Sequence, residues 1–540
     1  MHHGSARTTL FLIAAAGASP AFGQVLVHER ASESMPPAPA GPTLLQTLPT
    51  VAEGPFVSVQ LNTAPGSGLD VLNDAGNEPS IARSATDPDR FIVGWRQFDS
   101  ISSSYRKAGY AYSLDGGNVW SGRRVLDESR QGSDPILVPG PDGEIYYNTF
   151  RYANFPGSTE VYSTTNGGQT WSGPFTAFGG DKAWMACDLT DGPNRGAIYQ
   201  FWTNTANVSF DGGQTWSPSG GEAAKWGTMT VGPDGRCYNS GRSLRLVEAS
   251  AATPFAAPTI SGLNGLPYKH PIVVGGTPVN PAGIEGQNNV VVNTAPGDRY
   301  NEVYVLQSSF GREGAPSKPA TDIYFAYSTD LGDNFSDAIR VNDDPIGTAW
   351  HWLATFSVAP NGRLDAVWYD TREDPNPTLP SMSRLYASYS TDGGRAWSPD
   401  FPVSPAFDHG LGYPSQGKMG DYITMVSDDL GAHIAYTATF TGGQDVYYLH
   451  MGGTDCDANG VPDAMEIAAG LAPDADGDGT PDACACAADF TGDGDLNVDD
   501  IDAFVAAFIA GDLAADLDAS GSLNVDDIDA FVAAFLAGCA

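Results

Sequence analysis

An eight-residue pattern, Ser113-Leu114-Asp115-Gly116-Gly117-Asn118-Val119-Trp120, returns four more times before the chain changes character. The other copies begin at Thr164, Ser209, Ser328 and Ser390 and read TTNGGQTW, SFDGGQTW, STDLGDNF and STDGGRAW. Each places a hydroxyl, an Asp or Asn two positions on, Gly two further, and an aromatic three beyond that. Such a turn locks itself, because the carboxylate or amide accepts hydrogen bonds from the turn backbone, Gly supplies positive φ, and the aromatic packs beneath. Each copy follows an apolar alternation such as Ala108-Gly109-Tyr110-Ala111-Tyr112. One hairpin design is therefore used repeatedly, and internal repetition outranks every other fold signal.

With 64 Gly, 39 Pro and 11% aromatic residues in 540, the composition suits many short strands joined by tight turns. Period-2 patterning starts at Phe56 and organises into units of two apolar strands, a loop, a third strand, the repeated turn and a fourth strand. First strands are expected at Pro79 to Ala82, Pro135 to Val138, Ala183 to Cys187, Gly227 to Val231, Asn289 to Asn293, Ala354 to Val358 and Tyr422 to Val426. Seven four-stranded sheets arranged radially protect their edges by packing around an axis. The seventh unit has three strands of its own, so Phe56-Val57-Ser58-Val59-Gln60-Leu61 is expected to supply its fourth and close the ring. The fourth unit, in the interval between Trp216 and Phe335, lacks a recognisable box, and six blades are the alternative count.

These boxes resemble the Asp-box (BNR) repeat of sialidase-like β-propellers. The resemblance implies an all-β propeller over residues 56–451. A hydrolase of that family needs an arginine cluster, a Tyr nucleophile activated by Glu and an Asp acid/base. Where the family opens its first blade with aromatic-Arg-Ile-Pro, this chain has Asn77-Glu78-Pro79-Ser80-Ile81, so the arginine is missing.

The boxes belong to one face of such a fold, and a site belongs to the other. That opposite mouth is expected to gather Arg96, Arg151, Asp181, Arg242, His351, Trp352, Arg372 and Asp421 as ligand-binding residues, with Glu78, Asp134, Tyr369 and Asp370 as catalytic candidates. Carboxylates, cations and aromatic faces together suit a polar, sugar-like ligand. Blade-to-blade salt bridges are the competing use of the same residues.

Formal charge is −37, and residues 455–540 contain no Lys or Arg, which sets aside nucleic acid and anionic membranes as partners and favours divalent cations. Asp489, Thr491, Asp493, Asp495 and Asp500 stand at oxygen-ligand positions of a twelve-residue calcium loop with Gly494 at its sharp turn, and Asp516, Asp518, Ser520, Ser522 and Asp527 repeat the spacing. Each loop runs into Ile-Asp-Ala-Phe-Val-Ala-Ala-Phe, and Ile501, Phe504, Val505 and Phe508 form one apolar helical stripe. The duplicated loop-plus-helix over 487–540 resembles a dockerin, and its Gly538-Cys539-Ala540 ending resembles the variant named for a terminal Gly-Cys. The resemblance implies an EF-hand-like module that folds on Ca²⁺ and docks to a cohesin-like or cell-surface partner. Between the two, residues 452–486 form an acidic spacer in which Asp455, Asp457, Asn459 and Glu466, then Asp474, Asp476 and Asp478, resemble thrombospondin type-3-like calcium repeats.

Arg7, the apolar run from Leu10 to Ala18 and Ala21-Phe22-Gly23 read as a secretory signal peptide over 1–23, followed by a Pro/Ala-rich linker over 24–55. No later segment is long enough to span a bilayer. Export permits disulfides among the six cysteines, while Cys187 and Cys237 in the repeat region suit buried thiols or a bridge. The expected function is a secreted propeller that binds an extracellular glycan or glycoconjugate and is anchored by its calcium module. The alternatives are a sialidase-type glycoside hydrolase, a lyase acting on acidic polysaccharide, and a non-catalytic protein-binding scaffold.

Overall fold

The computed structural model describes residues 48–538 apart from 152–157, 203–204, 220–222, 225, 254–257, 264–265, 267–275, 311–319, 346–348, 476, 478, 485, 493–495 and 518–519. The signal peptide and most of the expected linker lie outside the described residues. So do Asp476, Asp478, Asp493, Asp495 and Asp518 of the expected calcium loops.

Seven antiparallel sheets form a β-propeller. Blade I comprises Ala75–Arg83, Phe91–Phe98, Lys107–Ser113 and Arg124–Val125. The innermost strands of blades II to VII are Ser133–Pro139, Trp184–Cys187, Met229–Val231, Asn289–Val292, His351–Val358 and Thr424–Asp428. All seven coincide with the expected first strands, and blade IV occupies the interval without a box. Phe56–Gln60 pairs with Asp445–Gly452 and closes the ring through blade VII. Part of the expected linker is strand as well: Thr50–Glu53 pairs with Phe56–Gln60 and caps that sheet's edge. A Pro/Ala-rich composition concealed the short alternation that allows this pairing.

All five boxes share one hydroxyl-centred network, and those of blades I and III add an indole bond. In blade I the Ser113 hydroxyl donates to Asp115 (2.8 Å) and accepts from the Gly117 N–H (2.9 Å), Asp115 accepts from the Val119 N–H (2.9 Å), and the Trp120 indole donates to the Gly117 carbonyl (2.8 Å). Gly117 has φ 93°, and a Cβ there would come within 2.2 Å of the Tyr448 hydroxyl, so Gly is required where the first box meets the closing blade. Trp120 is buried against Tyr448, ring centroids 4.7 Å apart. Burying such a ring stabilises the fold by about 3 kcal/mol.

Between blades, inner-strand hydroxyls receive the neighbour's backbone: Ser80 accepts from Leu137 N–H (2.9 Å), Thr228 from Val290 N–H (3.0 Å) and Thr424 from Ile81 N–H (2.9 Å). These bonds satisfy donors that inner strands would otherwise turn to the axis unpaired.

After the propeller, the helix Asp463–Ala468 packs Met465 into the core shared by blades VI and VII. A disulfide joins Cys456 to Cys484, while Cys187 and Cys237 are buried free thiols. The helices Val498–Ala510 and Val525–Ala537 form a small separate core in which Phe504 and Phe531 stack at 4.1 Å. Among the described residues no helix is long and apolar enough to cross a membrane.

Candidate functional site

The residues expected around one mouth divide into four groups. The first lies at the axis. Five innermost strands have a residue with left-handed backbone near their axial end, Glu78 (φ 54°), Asp134 (50°) and Leu353 (49°) at bulges within the strand and Lys182 (62°) and Trp226 (66°) just before it, with Gly420 (φ 112°) ahead of blade VII. Each non-glycine residue in this conformation costs on the order of 1 kcal/mol, so the surrounding structure must hold it there. What holds it in blades I to III and VII is charge. Arg96 reaches Glu78 at 3.2 Å, Lys418 reaches Glu78 at 3.3 Å and Asp421 at 2.7 Å, and Lys182 also pairs with Asp421. Asp134 accepts from the Lys182 backbone N–H at 3.0 Å and from the Ser133 hydroxyl at 2.9 Å. Three carboxylates face three cations, and Glu78, Arg96, Asp134, Lys418 and Asp421 are all buried.

Segment 276–288 lies over this ring. Its Ile284 N–H donates to Asp421 (3.1 Å), Asn280 donates to the Gly420 carbonyl (2.8 Å) and accepts from the Met419 N–H (3.0 Å), and the Glu285 carbonyl accepts from Leu353 N–H (2.5 Å). The expected mouth is therefore closed, and Glu78, Arg96, Asp134 and Asp421 serve to seal it. Burial pushes the Glu285 carboxyl up to about 8 against its bond from Thr277, so the plug carries a protonated acid at neutral pH.

The second group is an acidic cluster between blades V and VI. His351 is fully buried, with Nε2 3.0 Å from Asp344 and 3.2 Å from Asp370. Burial alone would depress its pKa, but the charge of Asp370 and the hydrogen bonds that the ring donates to both carboxylates raise it to about 10, so the ring is an imidazolium. Arg372 binds Asp370 (2.8 Å), Asp343 (3.3 Å) and Asp400, and its guanidinium lies 4.3 Å from the Tyr386 ring centroid. Arg340 binds Asp322 and Asp344, each at 3.1 Å.

The third group is core. Trp352 and Tyr369 are buried 4.7 Å apart between blades VI and VII. The Tyr369 hydroxyl donates to the Thr437 carbonyl and accepts its N–H at 2.9 Å, so it is a structural link between strands. Burial holds it well above the usual phenol range, the reverse of an activated nucleophile.

The fourth group stays at the surface. Arg151 and Arg130 both pair with Glu160 (3.2 and 2.5 Å) at the edge of blade II. Phe178 is half exposed, Asp181 and Trp202 are partly buried, and Arg242 is exposed in blade IV. Gly180 lies against the Trp202 indole so closely that a Cβ would come within 2.9 Å, which ties the Phe178 turn to Trp202.

Sequence reasoning missed two features. One is a Tyr–Glu contact: the Tyr386 hydroxyl donates to Glu373 at 2.6 Å, and Arg384 grips the same carboxylate at 2.8 Å. The other is an axial cavity of about 830 Å³ that opens on the box face. Neither has a local sequence signal, since each is assembled from strands that are individually ordinary.

In the tail, Asp489 accepts the Gly492 N–H (2.9 Å), Asp516 accepts the Ser520 and Gly521 N–H groups (3.0 and 2.7 Å), and the buried Asp500 and Asp527 bond the Asn497 and Asn524 N–H groups (2.9 and 2.7 Å). The hydroxyls of Thr491, Ser520 and Ser522 stand beside them. The described donors are oxygens alone, gathered on compact loops at helix N-termini, which is the donor set a hard divalent cation takes. In the spacer, Asp455 accepts from Asn459 and Gly460 N–H, Asp457 accepts from Asn459 N–H, and Asn459 donates to Glu466 (3.0 Å). Asp474 likewise accepts the Gly477 and Gly479 N–H groups (2.9 and 3.1 Å).

A BNR/Asp-box repeat model matches residues 208–218. No curated protein matches the chain in sequence. Among solved structures, a Dyadobacter fermentans protein of unknown function is 14% identical with a TM-score of 0.38, over 75% of this chain and 99% of that one. Trypanosoma rangeli sialidase is 8% identical with a TM-score of 0.35, over 74% of this chain and 59% of its own. An ulvan-type polysaccharide lyase is 9% identical with a TM-score of 0.34, over 76% and 93%.

Proposed function

We propose that the chain is an exported binding propeller, carried by a calcium-dependent docking module and directed to an extracellular glycan or glycoconjugate. The observation that carries the docking half is a duplicated apolar stripe. Val498, Ile501, Val505 and Ile509 on one helix, and Val525, Ile528, Val532 and Leu536 on the other, are all exposed, while Phe504 and Phe531 fill the core. The expected single stripe thus splits into an inner face, with Phe504 and Phe508, and an outer face, with Ile501 and Val505. Two equivalent exposed faces on so small a module suit a docking partner. Ca²⁺ is the cation that these loops would hold, supplying the charge that lets their carboxylates converge.

The glycan half is supported by the surface of blades II and III, where Arg130, Arg151, half-exposed Phe178 and Trp202 combine cations with aromatic faces. Binding without turnover agrees with the state of the catalytic candidates: Glu78 and Asp134 sit in a sealed ring, Tyr369 is a strand link, and Asp370 is held below the usual carboxylate range by His351 and Arg372 despite its burial. One observation favours hydrolysis as a second reading, namely the Tyr386–Glu373 contact beside Arg372 and Arg384. Its hydroxyl is nevertheless pushed up by burial and by Glu373.

Calorimetric titration of the full chain with CaCl₂ tests the module. Binding heat with a gain of helix is expected, and its absence would refute the calcium reading. Affinity electrophoresis on sialylated and uronic-acid polysaccharides tests the ligand: retardation lost in Arg151→Ala and Trp202→Ala supports the glycan reading, and no retardation of the parent chain refutes it. Release of a fluorescent leaving group from sialosides, abolished by Tyr386→Phe, would replace binding with hydrolysis.

A further inference from the structure

The axial cavity lies on the side of the ring opposite the plug. Its walls are the innermost strands of blades I to V and VII, and the side chains that keep surface open to it are mainly apolar, Val138, Trp184, Leu189, Val231, Val291 and Val426, while Ile136, Met185, Met229 and Met425 line it from the packed cores. One end is sealed. Trp184 and Tyr422 meet edge to face at 5.3 Å, and the Tyr422 hydroxyl donates to the Pro135 carbonyl at 2.9 Å, directly beneath the ring of Glu78, Asp134 and Arg96 that faces Tyr422 from above. The other end opens between the first turns of the blades, where Asp191 and Asp234 stand at the rim. The cavity is thus a blind apolar well with an acidic lip.

A volume of about 830 Å³ falls within the range of sites that enclose a small organic ligand, roughly 300–1,000 Å³. Water fills a polar channel readily, but apolar walls offer it few hydrogen bonds, so an apolar guest of matching size is the better occupant. Three methionines in the wall adapt to the outline of a guest, because their unbranched side chains change rotamer at little cost. Charge narrows the choice of guest. Among the described residues no Lys or Arg lines the well and its ionic groups are Asp191 and Asp234, with Arg236 bound to Asp234 at 3.3 Å and Arg195 bound to Asp142 at 2.7 Å outside the lining. The two carboxylates at the lip disfavour carboxylates and sulfates there.

We propose that this well is a binding site for an apolar amine, whose hydrocarbon body enters the axis and whose ammonium group stays at the lip beside Asp191 and Asp234. The site is independent of the glycan surface on blades II and III and uses the face that the boxes fasten. Cys187 lines it too, but burial pushes that thiol up to about 12, so the guest meets no reactive nucleophile.

Calorimetry of the full chain with n-decylammonium below its micellar concentration, matched against n-decanoate, tests the assignment. One binding event is expected for the amine, about tenfold weaker binding for the carboxylate, and about fourfold tighter binding per methylene along the hexyl, octyl and decyl amines. Val231→Phe and Val426→Phe, which add bulk at partly buried wall positions, should abolish the event while tryptophan-monitored unfolding remains cooperative. Asp191→Asn with Asp234→Asn, at solvent-accessible positions that do not endanger folding, should keep alkyl binding and erase the preference for the amine. No heat from the parent chain, undiminished binding in a folded Phe variant, or an unchanged preference in the double Asn variant would each overturn the proposal.

Discussion

The two ends of the propeller axis share the innermost strands of blades I, II, III and VII and could hardly differ more. At one end Glu78, Asp134 and Asp421 meet Arg96, Lys182 and Lys418 under the plug of residues 276–288. At the other, a few residues further along the same strands, Ile136, Met185 and Met425 join Val231 of blade IV around an open well. Polar residues closed the axis and apolar residues left it open. The reason is directional bonding: opposite charges reach across an axis too wide for side chains to pack and can bond to backbone on the far side, whereas Val and Met fill only the space they touch.

The comparison breaks most forcefully at Arg96. Arg96→Ala leaves the buried Glu78 to Lys418 in a site that excludes water, and losing one of its two cations costs about 3 kcal/mol, the lower end of what a broken buried pair costs. All eleven tryptophans lie between Trp95 and Trp397, so tryptophan emission during urea unfolding reads the propeller without the tail. A fall in midpoint of the size expected from that loss supports the ring as a structural seal. An unchanged midpoint would mean that the closed end is not held by these charges. Replacing the pair together, Glu78→Leu with Arg96→Met, should recover most of the loss, because the desolvation cost disappears with both charges.

Trp120→Leu should cost about 2–3 kcal/mol, by loss of ring burial against Tyr448 where blade I meets the closing blade. The same emission-monitored unfolding checks it. A cost below about 1 kcal/mol would show that closure rests on Phe56–Gln60 pairing rather than on the box.

The plug gives a pH test of the closed end. Glu285 has an ordinary pKa of 4.5 and is raised to about 8 by burial, so between those values the folded chain binds the proton and the unfolded chain does not. Its contribution is complete below pH 4.5 and is lost progressively as pH rises towards 8, by up to about 1.4 kcal/mol per unit. Asp74 and Asp400, raised to about 8 and about 7, titrate in the same direction, so the measure is the difference between the parent chain and Glu285→Gln. That variant should show a flatter fall in stability between pH 5 and 8 and lower hydrogen exchange at Ile284 and Leu353 at pH 8. Parallel pH profiles would remove Glu285 from the closure.

Much of this fold was legible in the sequence, and little of the site was. The boxes, the seven first strands and closure by Phe56–Gln60 follow from local pattern, since turn chemistry and strand alternation are written in neighbouring residues. The site depends on distances between strands far apart in the chain. Glu78 and Asp421 were both legible as polar residues of the axis, yet nothing nearby says that they share Lys418, or that residues 276–288 cover them. Tyr386 and Glu373 escaped notice because the contact joins a strand of blade VI to the loop that precedes it, 13 residues away. The well escaped because its walls read as ordinary buried strands, and an unfilled axis has no sequence signature.

The smallest effect is expected at the boxes themselves, where the open end is fastened. Asp211 accepts from the Thr215 N–H at 2.8 Å, the Ser209 hydroxyl at 2.8 Å and the Thr215 hydroxyl, and these bonds hold its carboxyl below the usual range despite burial. Asp211→Ala removes acceptors at a largely solvated turn, much as a lost helix cap does, and should cost about 1 kcal/mol. Because water can replace part of what is lost, the effect stays well below that of Arg96→Ala, whose partner has no water to turn to. If the two substitutions cost the same, the ring is wetter than its burial implies, and the contrast between a charged seal and an apolar opening fails at the closed end. If Asp211→Ala costs little yet weakens decylammonium binding, the boxes act on the well by holding the first turns in place around its lip.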